Sequence, residues 1–289
     1  MSELRNLRVD DAEEVAALFV EAFGEARRLD AEEIRSWIDN KELKPEHLRV
    51  LEESGSVVGY GDIWIEDDEV ALDVAAPGHW EPFLDWAEAE AGAHGVAVRT
   101  FIPVGHELEG VISARSYQLV RSSYTMEVDV TEAPLPVLPD GLSLRPYRGE
   151  QDQEVVRTAL NEAFADDWNH HDASPSNFTE FFVKQRFFDP RLWLLAWDGD
   201  VLAGFVLATA ERVGDPDLGW IGTLGVRPAW RRRGLGEALL KAAFAELYAR
   251  GRRRVGLGVD TKNVAGALRL YERVGMRPLL QYNTWSRKP

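Results

Sequence analysis

Apolar positions recur along this chain in two rhythms, one returning every three or four residues and one running in short unbroken stretches. Residues 235–250 show the first and predict an amphipathic helix ending at Gly251, where a residue without Cβ suits a left-handed cap. Residues 220–226 and 255–259 show the second and predict strands on either side of that helix. Upstream, the pattern predicts a strand at 142–145, a helix at 154–164, a polar loop, and a second helix with Ser174 as N-cap and Pro175 at its first position. Strands at 192–197 and 201–211 flank the hairpin turn Asp198-Gly199, and a helix carrying residues 267–276 and a strand near 281–286 complete the order. This order predicts an α/β fold, a mixed sheet flanked by helices.

The stretch from Thr131 to Gly141 breaks both rhythms. It carries Pro134, Pro136 and Pro139 and ends in Asp140-Gly141, the composition of a stiff linker. On either side the chain repeats itself weakly. Leu7-Arg8 followed by residues 14–23 is similar to Leu144-Arg145 followed by 155–164, and Val58-Gly59-Tyr60 is similar to Ala203-Gly204-Phe205. The expected organisation is therefore a tandem duplication, with a first domain at 1–131, a linker at 132–141 and a second domain at 142–289.

Composition narrows the chemistry. A chain of 289 residues can bury two cores of ordinary size, and the absence of cysteine excludes disulfides, a thiolate nucleophile and zinc-thiolate sites. The six histidines form no paired ligand motif, and no Gly-x-Ser-x-Gly elbow is present, so neither a metal site nor serine hydrolysis is expected. The first residues have no apolar signal core, and apolar runs such as 192–197 are too short to span a bilayer, which predicts a cytoplasmic protein without a membrane partner. Charge is unevenly shared: residues 1–140 hold 11 Lys+Arg against 31 Asp+Glu, and residues 141–289 hold 22 against 18. An anionic ligand is drawn to the second half, and nucleic acid is disfavoured.

The second half also holds the most informative stretch, Gly225-Val226-Arg227-Pro228-Ala229-Trp230-Arg231-Arg232-Arg233-Gly234-Leu235-Gly236. It joins the 220–226 strand to the 235–250 helix. The first N–H groups of that helix lack intrahelical partners and the dipole there is positive, so an anion is stabilised. Gly234 and Gly236 let a pyrophosphate approach the backbone, and Arg231, Arg232 and Arg233 add positive charge. Arg231-x-x-Gly234-x-Gly236 resembles the cofactor loop of the GNAT N-acetyltransferase superfamily. Downstream, Asn263, Leu270-Tyr271 and Gly275-Met276 resemble the last block of that family in order and spacing.

The resemblance implies two tandem GNAT-like domains, each a mostly antiparallel twisted sheet with splayed central strands flanked by helices. It implies acetyl-CoA as donor, its pantetheine arm held along Leu224, Gly225 and Val226 facing 255–259, with Asn263 assisting and Leu235 opening the helix. It implies a backbone N–H at Leu224 for the oxyanion and Tyr271 as the acid that protonates the leaving sulfur. The tandem layout resembles mycothiol synthases, but Trp220 stands where those enzymes carry a glutamate. Candidates for a substitute base are Glu211, Asp260 and the loop group Asp166, Asp167, His170, His171 and Asp172, with a water relay as the alternative; among the residues His171 and Asp172 are preferred because a carboxylate raises the pKa of a neighbouring histidine. Carboxylates near Trp168, Phe178, Phe181 and Phe182 suit a small cationic amine.

In the first copy, aligning Pro77 with Pro228 places Trp80 opposite Arg231, Phe83 opposite Gly234 and Asp85 opposite Gly236, and near the end of that copy Ile112 occupies the place of Tyr271. That copy is expected to fold without catalysing. The leading expectation is acetyl transfer to a small amine by a monomer or homodimer. The alternatives are acetylation of a protein N-terminus or lysine, and a non-catalytic acyl-CoA-binding regulator.

Overall fold

Glycines with positive φ stand at the predicted hairpin turn, Gly199, and at the predicted helix end, Gly251. The computed structural model describes residues 3–66, 68–168, 170–262 and 266–288. The chain divides into two units, Met1–Ser123 with Leu280–Pro289, and Tyr124–Leu279.

Unit 1 comprises β1 (Glu3–Asn6), α1 (Ala12–Phe23), α2 (Ala31–Asp39), β2 (Leu48–Glu53), β3 (Ser56–Ile65), β4 (Glu69–Ala75), α3 (Glu81–His94), β5 (Ala97–Pro103), α4 (Leu108–Ala114) and the first half of β6 (Gln118–Asp129). Its strands lie in the order β1-β2-β3-β4-β5, antiparallel except for the parallel β4–β5 pair. Alternation along the strands feeds two cores. Val50, Tyr60 and Ala75 pack on Phe19 and Ile34 beneath α1 and α2, while Ile63, Leu72 and Val74 pack on Phe83 and Leu84 of α3.

Unit 2 takes the second half of β6, then β7 (Leu142–Pro146), α5 (Glu150–Phe164), α6 (Pro175–Phe178), β8 (Phe188–Asp198), β9 (Val201–Thr209), β10 (Leu218–Val226), α7 (Leu235–Ala249), β11 (Arg254–Asp260), α8 (Ala267–Arg273) and the start of β12 (Arg277–Arg287). Its order is β6-β11-β10-β9-β8-β7, with β10–β11 parallel and the β7–β8, β8–β9 and β9–β10 pairs antiparallel. One face packs on α7 through Ile221, Leu239, Ala243 and Leu257; the other packs on α5 through Val156, Leu160, Phe205 and Leu207. The expected N-cap of α6 is present, with Ser174 Oγ accepting from Asn177 N at 3.1 Å, although the helix passes after one turn into a wider π turn at Thr179–Val183.

Mixed sheets flanked by helices are thus present in both units, but the expected boundaries are not. The chain crosses from unit 1 to unit 2 inside β6, ahead of the proline-rich stretch, and returns inside β12. Residues 282–287 pair antiparallel with 98–103 of β5, so the last strand completes the first unit rather than the second. Residues 130–140 form no helix or strand, as three prolines dictate.

The repeat is visible as a repeated ion pair. Arg145 grips Asp152 in a fork at 2.6 and 2.8 Å while Arg148 N donates to the same carboxylate at 2.7 Å. Arg5, Asp11 and Arg8 N do the same at 2.7, 2.8 and 2.7 Å. Leu4-Arg5 is therefore the counterpart of Leu144-Arg145, three residues ahead of the register expected from Leu7-Arg8. Hydrogen bonds from Arg145 hold the Asp152 carboxyl below the usual carboxylate range.

Unit 1 also buries a second ionic group. Arg27 pairs with Asp73, and Asp62, which accepts from Tyr60 Oη at 3.0 Å, lies opposite Asp73 in the β3–β4 register. Burial, and then the charge of Asp73, push the Asp62 carboxyl up to about 8. The folded chain therefore keeps a proton that the unfolded chain releases near pH 4, and stability is lost as pH rises through about 8. Asp62→Asn is expected to raise the melting temperature relative to the parent at about pH 9 and to change it much less at about pH 5. Thermal melts across that range check this; an equal shift at both ends contradicts it.

Candidate active site

The site begins where two parallel strands part. β10 pairs with β11 only from Leu218 to Ile221, against Arg254 to Leu257. At Gly222 the register of β10 on β9 slips: Ile221 lies opposite Ala208 and Thr223 opposite Leu207, a β-bulge with Gly222 as the extra residue. Bulges bend and twist the strand that carries them, and beyond this one β10 leaves β11. The part of β11 beyond its pairing with β10 is Gly258–Asp260, shorter than the expected 255–259. Arg227 N donates to Ala203 O at 3.1 Å, so by antiparallel alternation Gly225 and Thr223 bond to β9 while Leu224 and Val226 turn their N–H and C=O toward the gap. A Cβ on Gly225 would lie 2.3 Å from the Phe205 ring, so only glycine permits this register.

The loop that follows is fastened by its own arginines. Arg227 donates to Glu162 at 2.8 Å and to Leu202 O at 2.8 Å, and Trp230 Nε1 donates to Asp198 at 2.9 Å. Arg231, expected to face the anion, instead donates to Val226 O at 3.1 Å and to Ala163 O at 2.9 Å, and lies 3.4 Å from Asp166. Its guanidinium satisfies a carbonyl in the last turn of α5, where a cation is favoured. Arg232 and Arg233 are exposed. Arg232 (φ +60°) and Gly234 (φ +86°) take left-handed backbone and turn the chain into α7. Among the described residues, the N–H groups of residues 232–237 find no protein acceptor, as the opening turn of a helix requires. Gly236 stands at this mouth, where a Cβ would meet Leu270 Cδ2 at 3.1 Å.

A cavity of about 900 Å³ joins these parts. Gly222, Leu224, Gly225, Val226 and Gly258 line the gap; Arg231, Arg232, Gly234, Leu235 and Gly236 line the helix mouth; Arg269, Leu270, Tyr271 and Arg273 come from α8; and Phe164, Asp166 and Asp167 come from the end of α5 and the loop after it. Tyr271 is buried, and its hydroxyl has no acceptor among the described residues. Burial, with the charge of Asp167 added, pushes its pKa up to about 12.

Not every expected residue reaches this cavity. Asn263 lies outside the described residues. His171 and Asp172 are not on the walls: Asp172 pairs with His170 at 3.0 Å, and the adjacent acids Asp166 and Asp167 line the cavity instead. Phe178 is fully buried and stacks on Phe182 at 5.1 Å, a core contact, so the cavity's aromatics are Phe164, Trp230 and Tyr271. Trp220 lies against Gly256, where a Cβ would meet its ring at 2.8 Å, and under Arg212 at 4.4 Å, and supplies no base. Arg269 and Arg273 escaped notice although each stands two residues from Tyr271 on α8.

Unit 1 has the same parting of strands without the loop. β4 leaves β5 after Leu72 and Thr100, but only five residues join β4 to α3, against eight between β10 and α7. Phe83 is therefore not opposite Gly234. It is a core residue beneath Gly59, as Leu239 is beneath Gly204, and Trp80 is buried with its Nε1 on Glu107 at 2.9 Å. The longer turn of unit 2 is missing from unit 1 rather than obstructed. Ile112 does match Tyr271: each is the fifth residue of a seven-residue helix, and each carbonyl accepts from the N–H five residues on, at 3.1 and 3.0 Å.

Comparison with known proteins agrees with this geometry. Residues 154–276 match the acetyltransferase (GNAT) family model. The mycothiol acetyltransferase of Beutenbergia cavernae is 32% identical over 90% of this chain and 87% of its own length, and that of Stackebrandtia nassauensis is 30% identical over 79% and 78%. A GCN5-related N-acetyltransferase from Sphaerobacter thermophilus superposes with a TM-score of 0.78 at 26% identity, covering 99% of this chain and 95% of the other. A tandem GNAT protein from the clavulanic acid biosynthesis pathway shares the fold, with a TM-score of 0.72 at 17% identity over 100% and 98% of the two chains. The chain belongs to the GNAT acetyltransferase family, whose members are acyltransferases that use acetyl-CoA as donor.

Proposed function

We propose that unit 2 transfers the acetyl group of acetyl-CoA directly to the primary amine of a small cationic acceptor, with both substrates bound at once. The observation that carries this reading is that one cavity joins the unpaired Leu224–Val226 edge, the open N-terminus of α7 and the Tyr271 hydroxyl. The residues present fit the donor. Amides at the α7 mouth suit a pyrophosphate, Gly236 keeps that mouth open, and the free groups of Leu224 and Val226 suit the amides of a pantetheine arm.

When bound, the thioester supplies an activated acyl carbon. The Leu224 N–H, held in place by the β9 pairing, is a preorganised donor for charge developing on the acyl oxygen. Tyr271 keeps its proton throughout the physiological range, because burial raises its pKa to about 12. Since a thiol titrates near about 8.5, Tyr271 stabilises the departing sulfur by donating a hydrogen bond rather than by giving up its proton outright. Asp166 and Asp167 bring carboxylates to the same cavity, and we assign them, in place of His171 and Asp172, the anchoring of the acceptor's ammonium group. Unit 1, with its shortened turn and Ile112 at the tyrosine position, is non-catalytic in this reading.

Because the chain has no cysteine, thiol released from acetyl-CoA reports turnover without background from the protein. A panel of aminosugars, aminoglycoside-like amines, a mycothiol-related amine and peptides is expected to yield at least one small cationic amine that releases thiol. Donor binding without turnover across the panel supports a binding protein instead. Tyr271→Phe is expected to lower kcat on the order of a hundred-fold with donor affinity unchanged. Equal kcat in the two proteins removes the assigned role. Asp167→Asn is expected to raise KM about ten-fold for a cationic acceptor and leave it unchanged for a neutral one; a uniform change in both marks a structural role. In calorimetric titration Gly236→Val is expected to weaken acetyl-CoA binding at least about ten-fold, because its side chain occupies the helix mouth against Leu270.

A further inference from the structure

The place left open in unit 2 is filled in unit 1. Asp62 lies opposite Asp73 as Leu207 lies opposite Thr223, and Tyr60 opposite Ala75 as Phe205 lies opposite Gly225. β4 and β5 part after Leu72 and Thr100 as β10 and β11 part after Ile221 and Leu257. Asp73 and Phe101 thus stand at the mouth of the parting in unit 1, where unit 2 has Thr223, beside Gly222, and Gly258. A Cβ on Gly258 would meet nothing within 4 Å, and Gly222 and Gly258 line the unit 2 cavity.

Between Asp73 and Phe101 sits the guanidinium of Arg27, the last residue of the turn Gly24–Arg27 that follows α1. Its two terminal nitrogens donate to the two oxygens of Asp73 at 2.7 and 2.5 Å, fork to fork. The same group lies 4.9, 5.1 and 5.1 Å from the ring centroids of Phe19, Phe23 and Phe101. Tyr282 stands against Phe101 at 6.2 Å and donates from Oη to Ala26 O at 3.3 Å, fastening the turn that carries Arg27. One planar cation, one bidentate carboxylate and three aromatic rings are the parts of a guanidinium-binding site, and here the ligand is a side chain of the host.

We propose that unit 1 contains a guanidinium cage occupied by its own Arg27, and that removing this side chain converts the cage into a receptor for a monoalkyl guanidinium ion. The proposal does not depend on catalysis by unit 2. It means that unit 1 takes no external amine in the native chain, because the position is already taken. Planarity sets the selectivity: a guanidinium presents two parallel N–H groups to Asp73 and a flat face to the rings, which an ammonium cannot do together.

The test uses the full chain carrying Arg27→Ala. Its melting temperature is expected to fall, because Asp73 loses its partner, and to recover saturably with millimolar ethylguanidinium. Recovery is expected to need roughly ten-fold more ethylammonium, the discrimination of a two-pronged contact over a single one. The parent chain, its cage full, shows no such recovery. Arg27→Ala combined with Asp73→Asn lacks the carboxylate that the Arg27 fork grips and keeps only the Asp62 carboxyl, which accepts from Tyr60, so it is expected to melt higher than Arg27→Ala alone and to ignore ethylguanidinium. If Arg27→Ala is insoluble, the readout becomes its soluble yield on refolding from urea with and without ethylguanidinium. The proposal is overturned if recovery or yield does not respond, if sodium chloride at equal ionic strength matches it, or if the double variant responds equally.

Discussion

Two parallel strands that stop pairing halfway are the constraint on which unit 2 depends. A sheet normally spends every backbone N–H and C=O on its neighbours, and an interior gap would leave a row of desolvated groups. Here the gap is produced by a single extra residue at Gly222, while the β9 pairing on the other side of β10 holds the strand rigid. The result is an edge inside the sheet, with donors and acceptors fixed in direction. Fixed direction is what a transition state requires of a backbone dipole, since a donor that must reorient during the reaction gives back much of its benefit.

The loop beyond that edge divides its labour in a way charge counting does not reveal. Three consecutive arginines read as one patch of positive charge, yet Arg231 is committed to the carbonyls of Val226 and Ala163 and so ties the loop to the ends of β10 and α5. In the proposed donor site, attraction of the pyrophosphate is then left to the helix mouth and to Arg232, with Arg269 and Arg273 on the same cavity. A long side chain has the reach to satisfy a neighbouring carbonyl before it reaches a ligand, and in a loop between a strand and a helix such carbonyls are abundant.

The parts of this structure legible in the sequence are those fixed by local stereochemistry. The turn into α7, its left-handed cap at Gly251, the Ser174 cap, and the Leu270-Tyr271 step on α8 all depend on residues within one or two helical turns. What escaped was set by distance along the chain. Whether the loop after α5 sends Asp167 or Asp172 into the cavity depends on its path in space, which residue types alone do not encode. The two halves differ by three residues in the connection that leads into α3 and α7, a difference that matching Pro77 to Pro228 conceals. Pairing of the last strand with β5 is a contact between residues far apart in the chain, and no local pattern announces it.

That last pairing bears on how the protein is made. A ribosome delivers residues of unit 1 first, but the strand that covers one side of β5 arrives only after all of unit 2 has been synthesised. Until then β5 presents an unsatisfied ladder, the kind of edge that recruits a strand from another chain. Nascent molecules on one messenger are therefore at risk of trading their final strands, and the safeguard is kinetic: each chain must capture its own tail before a neighbour's can reach it.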